Sequence, residues 1–484
     1  MKKTFLWSAI LSLLLVSLAS ADVRLPKMFT NNCVLQRDAA VQVFGFADAG
    51  EKVTVEFNGQ KVETTACDAG KWLVKLAPMP AKCEGSTMTV TGKNVVTVEN
   101  VVVGEVWVCG GQSNMQYPVG GWGRVEATED ELTGDNSFIR FLRDPHVTNP
   151  EPQDDLTGGE WTLCKDGAQK ACTAVGYYFA LRLHKELGCP IGLIDCNWGG
   201  SKVEEWIPEK AMSTLSEETA AHAREFVTHV KQDNRKFIGC MYNSKMNPWT
   251  KYTIKGAIWY QGCSNGGQGQ LYFEKMDCMI KAWRAAWGYD FPFYWVQLAN
   301  YQAPNADPNT TGGFVPVRYA QSLCLSIPKT GQAVIIDVGE AKDIHPINKF
   351  VVGERLAANA LVKDYGKDIP YASPMFKEMK VEGNKAILTF ENVYDGLVVG
   401  KQNVREFSVD QDGKLQRFAV AGADGKFFWA EAKIVGKDQV EVSAPEVAEP
   451  VNVRYAFQQN PEGCNLYNSA GFPASPFSTE PITK

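Results

Sequence analysis

The sequence predicts an α/β protein, a three-layer α/β/α sandwich on a parallel sheet, with β-rich portions at both ends of the chain. Three observations lead there. Five short runs in the middle of the chain are apolar on both faces, as strands covered by helices must be. Amphipathic stretches of helical period separate several of these runs. On either side the pattern changes to the alternation of half-buried strands.

The five runs are Asn100 to Cys109, Ile191 to Asn197, Ala257 to Gln261, Phe293 to Leu298 and Ala333 to Val338. The helical stretches include Val175–Leu187, Phe273–Trp287 and Lys349–Tyr365. In the last, Val351, Val352, Leu356 and Ala360 fall near helical spacing. Upstream, Val53, Val55 and Phe57 alternate with polar residues and lead into Asn58-Gly59, a strong hairpin signal. Downstream, Ala386–Phe390, Val440–Val442 and Val451–Tyr455 again have strand character. These shifts divide the chain into 22–100 (N-terminal β), 101–368 (α/β) and 369–484 (β-rich).

Residues 1–21 read as an export signal. Lys2 and Lys3 precede an apolar run from Phe5 to Leu18, and Ala19-Ser20-Ala21 is a small-residue cleavage site. The run is shorter than the roughly 20 residues a membrane span needs. A mature chain from Asp22, periplasmic or secreted and without a membrane span, is the expectation.

The 484 residues carry a formal net charge of −6 and no long basic run, which argues against a nucleic-acid partner. Thirteen cysteines are scattered without CxxC spacing. That gives no zinc ribbon and no dense disulfide framework. Cys109, Cys196 and Cys324 lie in apolar runs and are expected as buried thiols. No metal site and no cofactor is indicated. His184, His222 and His229 fall in charged helical stretches and are expected at the surface; His146 has no motif around it.

In an open parallel sheet, ligands bind beyond the carboxyl ends of the strands. The first run is followed by Gly110-Gly111-Gln112-Ser113-Asn114-Met115 and the second by Trp198-Gly199-Gly200-Ser201. Gly262-Cys263-Ser264-Asn265 follows the third, and Glu340 through Pro346, with Asp343 and His345, follows the fifth. A serine, an amide, small residues and a histidine thus gather at one edge. Acyl transfer asks for this set: a hydroxyl is a poor nucleophile until a base takes its proton, and histidine does so near neutral pH. The tetrahedral intermediate then needs preorganised donors, each typically worth about 3–4 kcal/mol. Candidates are the N–H groups of Ser113 and Gly200 and the amide of Asn265.

Gly111-Gln112-Ser113-Asn114-Met115 resembles the first block of the SGNH hydrolases, in the variant of the sialate O-acetylesterases and related carbohydrate esterases. Gly199-Gly200-Ser201 with Glu204 and Trp206 resembles the second block, Trp259 through Asn265 the third, and Asp343-Ile344-His345-Pro346 the last. Similarity extends to Met28–Arg37 and to Val453–Phe477. The resemblance implies an SGNH-type sandwich and a serine esterase that removes O-acetyl groups from sialic acids without a cofactor. Ser113 would be nucleophile and His345 base, with an oxyanion hole from Ser113, Gly200 and Asn265. Gln112, Gln261 and Trp198 are candidate substrate contacts, and Tyr117 and Trp122 lie close in sequence. Arg124, Arg140 and Arg143 are candidate partners for a sugar carboxylate.

Two positions depart from the family pattern. Cys263 stands where relatives usually carry Glu, and Lys342 stands where the general pattern has Asp. Asp343, two before His345, is the nearest acid. It completes a triad with a local bend; otherwise Ser113 and His345 act as a dyad. The alternatives are an acetyl esterase acting on polysaccharide such as xylan, a Cys263 nucleophile, and a non-catalytic carbohydrate-binding protein.

Overall fold

The structure, a computed structural model, describes residues 22–124, 126–228 and 237–480. The expected export signal and His229 lie outside them. Seven strands form the central sheet: β1 (Val95–Gly111), β2 (Ile139–Arg143), β3 (Trp161–Leu163), β4 (Ile191–Asn197), β5 (Gly256–Tyr260), β6 (Phe293–Val296) and β7 (Thr330–Ala333). Their spatial order is β7-β6-β5-β1-β4-β2-β3. All pairs are parallel except the edge pair β2–β3. The sequence reading missed β2 and β3, which lie in a stretch of mixed polarity.

β1 occupies the centre because side chains cover both its faces. Trp107 packs edge-on against Phe179 on one side. Gly110 faces the other, where a Cβ would meet Trp259 at 2.9 Å. The helices on these faces include α2 (Ala174–Leu187), α3 (Gln270–Trp287), α4 (Val315–Leu323) and α5 (Lys349–Lys363), with the single turn α1 (Ser113–Gln116) after β1. Thr173 caps α2, and Gly188 in left-handed conformation ends it. Asn348 caps α5 by accepting from the Val351 N–H at 3.1 Å.

β1 is also the covalent bridge to the N-terminal β region. Its first half pairs with Lys82–Thr91 and Val34–Gln36, and its second half runs on into the central sheet. One apolar core spans both parts, from Val23 to Leu361. The Asn58-Gly59 hairpin forms as the sequence predicts, both turn residues having positive φ.

The last predicted run is corrected. Strand β7 ends at Ala333, and Val334 to Val338 continue as irregular chain. Their apolar character has another cause. Val334 and Ile336 are buried in a second core built by the C-terminal strands, while Ile335 and Val338 stay in the first. That C-terminal region is antiparallel throughout, with Lys385–Glu391, Gln439–Ser443 and Asn452–Tyr455 among its strands.

Candidate active site

The site begins where β1 stops. Gly111 has φ +130°, and a Cβ there would lie 2.3 Å from the Tyr260 carbonyl oxygen, so only glycine lets β1 and β5 converge at this edge. The chain then turns at once into α1. Ser113 is its first residue, where no intrahelical acceptor exists for the main-chain N–H.

The turn is held from several directions. The Gln112 N–H donates to the Tyr260 carbonyl at 3.0 Å. Gln112 Oε1 accepts from the N–H groups of Gly262 at 3.1 Å and Ser264 at 3.3 Å. Asn114 Nδ2 donates to the Ile344 carbonyl at 2.9 Å, and so ties the turn to the residue before His345. His345 Nε2 stands 2.9 Å from Ser113 Oγ.

Asp343 supports His345 mainly through the backbone. Its Oδ1 accepts from the His345 N–H at 2.8 Å and lies 3.4 Å from Nδ1. Its Oδ2 accepts from Arg124 Nη1 at 2.8 Å. Partial burial works to raise the Asp343 pKa, but the His345 N–H and Arg124 outweigh it and hold the carboxyl below its ordinary range. Burial, and then the Lys349 cation, push the His345 pKa below 6.5 against the pull of Asp343. The imidazole is therefore neutral, and able to accept a proton, at pH 7.

Around Ser113, the Gly199 N–H is taken by Gln116 Oε1 at 2.7 Å. The next residue, Gly200, has φ +73°, and its N–H meets no acceptor among the described residues. Asn265 differs from its expectation. It is fully buried, and its Nδ2 donates to Glu204 Oε2 at 2.9 Å and Gln268 Oε1 at 3.3 Å. Its Oδ1 accepts from the Val203 N–H and from Gln261 Nε2. Asn265 braces the second block against the third, and its donors are already engaged.

Gln112 and Gln261 are likewise turned inward. Gln261 is fully buried, with Nε2 on the Ser201 carbonyl and Asn265 and Oε1 on the Tyr272 hydroxyl. Glutamine at these positions satisfies buried main-chain groups. Trp198 is half-buried and stacks on His146 with ring centroids 4.4 Å apart. Trp122 is 47% exposed and sets its ring edge-on to His345 at 5.4 Å.

Of the three arginines, Arg124 reaches the site but is bonded to Asp343 and Glu340. Arg140 is buried on the carbonyls of Asn32 and Asn100. Arg143 donates to the Ala171 carbonyl. His184 and His222 are half-buried rather than at the surface: one stacks on Phe138, and the other lies 3.1 Å from Lys275 Nζ. Cys109, Cys196 and Cys324 are buried. Burial pushes the Cys263 thiol up to about 12, which leaves it protonated and a weak nucleophile.

Sequence reasoning missed Lys349. It is buried, and its Nζ donates to Asn114 Oδ1 at 2.6 Å. The signal was its place four residues after His345, at the start of a helix with a strong apolar face. No cluster of side chains suited to a metal ion occurs among the described residues, and no described helix is long and apolar enough to cross a membrane.

A serine hydroxyl in contact with a neutral histidine, beyond the carboxyl end of a central parallel strand, is the arrangement of a carboxylic ester hydrolase of SGNH type. Comparison with known proteins agrees. Residues 103–330 match the family model described as carbohydrate esterase, sialic acid-specific acetylesterase. A solved carbohydrate acetylesterase from Xanthomonas citri is 34% identical with a TM-score of 0.83, over 95% of this chain and all of that one. The sialate O-acetylesterase of Mus musculus is 27% identical over 76% of this chain and 79% of its own length. That of Homo sapiens is 25% identical over 95% and 93%. The chain belongs to the carbohydrate acetylesterase family that contains the sialic acid-specific acetylesterases.

Proposed function

We propose that this protein is a sialate O-acetylesterase, with Ser113 as nucleophile, His345 as general base and Asp343 as the group that orients the histidine. The 2.9 Å contact between Ser113 Oγ and His345 Nε2 is the observation that carries this reading. Ser113 Oγ attacks the acetyl carbonyl as His345 takes its proton. The N–H groups of Ser113 and Gly200 stabilise the oxyanion. His345 returns the proton to the departing sugar oxygen, which leaves as the alcohol. Water, deprotonated by His345, then attacks the acetyl-serine and releases acetate. Asn265 supports this hole from behind, through Val203 and Glu204.

The family match and the names of the relatives support sialic acid as the acetylated sugar. The amino-terminal 21 residues support export to the periplasm or the exterior. A second reading, deacetylation of a neutral polysaccharide such as xylan, is favoured by the state of the arginines. Arg124 is bonded to two carboxylates, and Arg140 and Arg143 are on main-chain carbonyls.

The deciding experiment measures acetate release from O-acetylated sialic acid and from acetylated xylan, by wild type and Ser113→Ala. Release from the sialic acid, lost in Ser113→Ala, is the expected outcome. Release from xylan alone moves the substrate to the second reading. Equal rates for both proteins on both substrates would remove Ser113 from the mechanism.

A further inference from the structure

Lys349 is 1% exposed, as is Asn114. Its Nζ donates to Asn114 Oδ1 at 2.6 Å and lies 4.9 Å and 5.6 Å from the ring centroids of Tyr117 and Tyr260. Asn114 follows the nucleophile, and its Nδ2 donates to the carbonyl of Ile344, the residue before the base. A single side-chain amide therefore ties the loop of Ser113 to the loop of His345. In its ammonium form Lys349 decides which way round that amide sits, because an ammonium can only donate and must face the oxygen. Reversing the amide would set an N–H against the ammonium and an oxygen against the Ile344 carbonyl.

The charge has a second effect. Buried cations cost stability unless paired, and no carboxylate forms an ion pair with Lys349 among the described residues. The groups that face it are the Tyr117 and Tyr260 rings, the Cys263 thiol, His345, and the more distant carboxylates of Glu340, Asp343 and Glu126. Those around His345 are Ser113, Trp122, Asp343 and Lys349. Within that set Lys349 is the cation that opposes protonation of His345, and Asp343 is the anion that favours it.

We propose that Lys349 is a positioning residue for the Ser113–His345 pair, acting through the Asn114 amide and through its own charge. The inference rests on the reading of Ser113 as nucleophile and His345 as base. The charge adds to burial in lowering the imidazole's affinity for a proton, and the amide holds the Ser113 and His345 loops together with Nε2 on the hydroxyl.

The test is kcat/KM against pH for wild type, Lys349→Met and Asn114→Ala, with Ser113→Ala as the control for the underlying reading. Methionine keeps the side chain out to Cε and removes the Nζ group, its charge and its donor to Asn114 together. Lys349→Met should move the acid limb of the profile to higher pH, by about half a unit or more, and lower the plateau about tenfold. Asn114→Ala should lower the plateau and leave the acid limb within about half that shift. An unmoved acid limb in Lys349→Met, with activity still dependent on Ser113, overturns the proposal and leaves the nucleophile in place. If Lys349→Met does not fold, wild type and Asn114→Ala enriched in 13C at lysine Cε are titrated by NMR. One lysine that titrates near neutral pH, and moves in Asn114→Ala, is the result the proposal requires. The absence of any such lysine overturns it.

Discussion

Asp343→Asn removes one negative charge from beside His345 and leaves the side chain its size. The carboxylate oxygen stands 3.4 Å from Nδ1, too long for a strong hydrogen bond, while it accepts from the His345 main-chain N–H at 2.8 Å. Its value to the transition state is then the attraction between a carboxylate and the imidazolium that forms when Ser113 gives up its proton. At 3.4 Å this is about 1 kcal/mol in a medium like water and about 5 kcal/mol at an effective dielectric near 20. The Asp343 side chain is 36% exposed and shares its charge with Arg124, so solvent and the guanidinium place the figure at the lower end. About 1–3 kcal/mol corresponds to a loss of roughly 5- to 150-fold in kcat. The assay is kcat at saturating acetylated sugar across pH, with circular dichroism to confirm folding. A loss near 10⁴, the size seen in a tightly bonded triad, is incompatible with so weak a contact. It would mean that Asp343 engages Nδ1 fully in the transition state. No loss at all would remove Asp343 from the mechanism.

Three further outcomes follow from the geometry. Gly111→Ala forces a Cβ against the Tyr260 carbonyl at a backbone angle alanine avoids, and should cost about 2–4 kcal/mol in chemical denaturation along with most of the activity. Lys275→Met leaves Glu204, 2.6 Å away and fully buried, without its cation; a loss of about 3–5 kcal/mol in the same assay is expected, with activity falling as Asn265 loosens. Burial lowers the Lys349 pKa from 10.5 to about 7. Between these values the unfolded chain holds a proton at this lysine that the folded chain has released. Stability should therefore rise with pH from about 7 upward, relative to Lys349→Met, in melts at matched ionic strength; a parallel pair of curves would contradict the shift.

The structure also explains where reading the chain succeeded. β4 was legible to the residue, because a strand covered on both faces is apolar throughout and periodicity finds it. The hairpin at Asn58-Gly59 was legible because the turn needs two residues that tolerate positive φ. The run Ala333–Val338 misled, since irregular chain wedged between two cores is as apolar as a strand.

Within the site, the order of residues along the chain fixes which chemical groups are present and at which sheet edge they gather. Chain order and strand endings fix that edge, because parallel strands all deliver their carboxyl ends to it. Where each polar group spends its hydrogen bonds is settled by the folded arrangement alone. Gln112, Gln261 and Asn265 have the composition of substrate contacts, yet each bonds a main-chain or side-chain group 60 to 150 residues away in the chain: Gln112 to Gly262, Gln261 to Ser201, and Asn265 to Val203 and Glu204. Lys349 is read from the sequence as one more charge at a helix start, and from the fold as a buried donor to the amide beside the nucleophile. A hydrogen bond depends on distances of a few tenths of an ångström between atoms far apart in the chain, and no local pattern of residues encodes them.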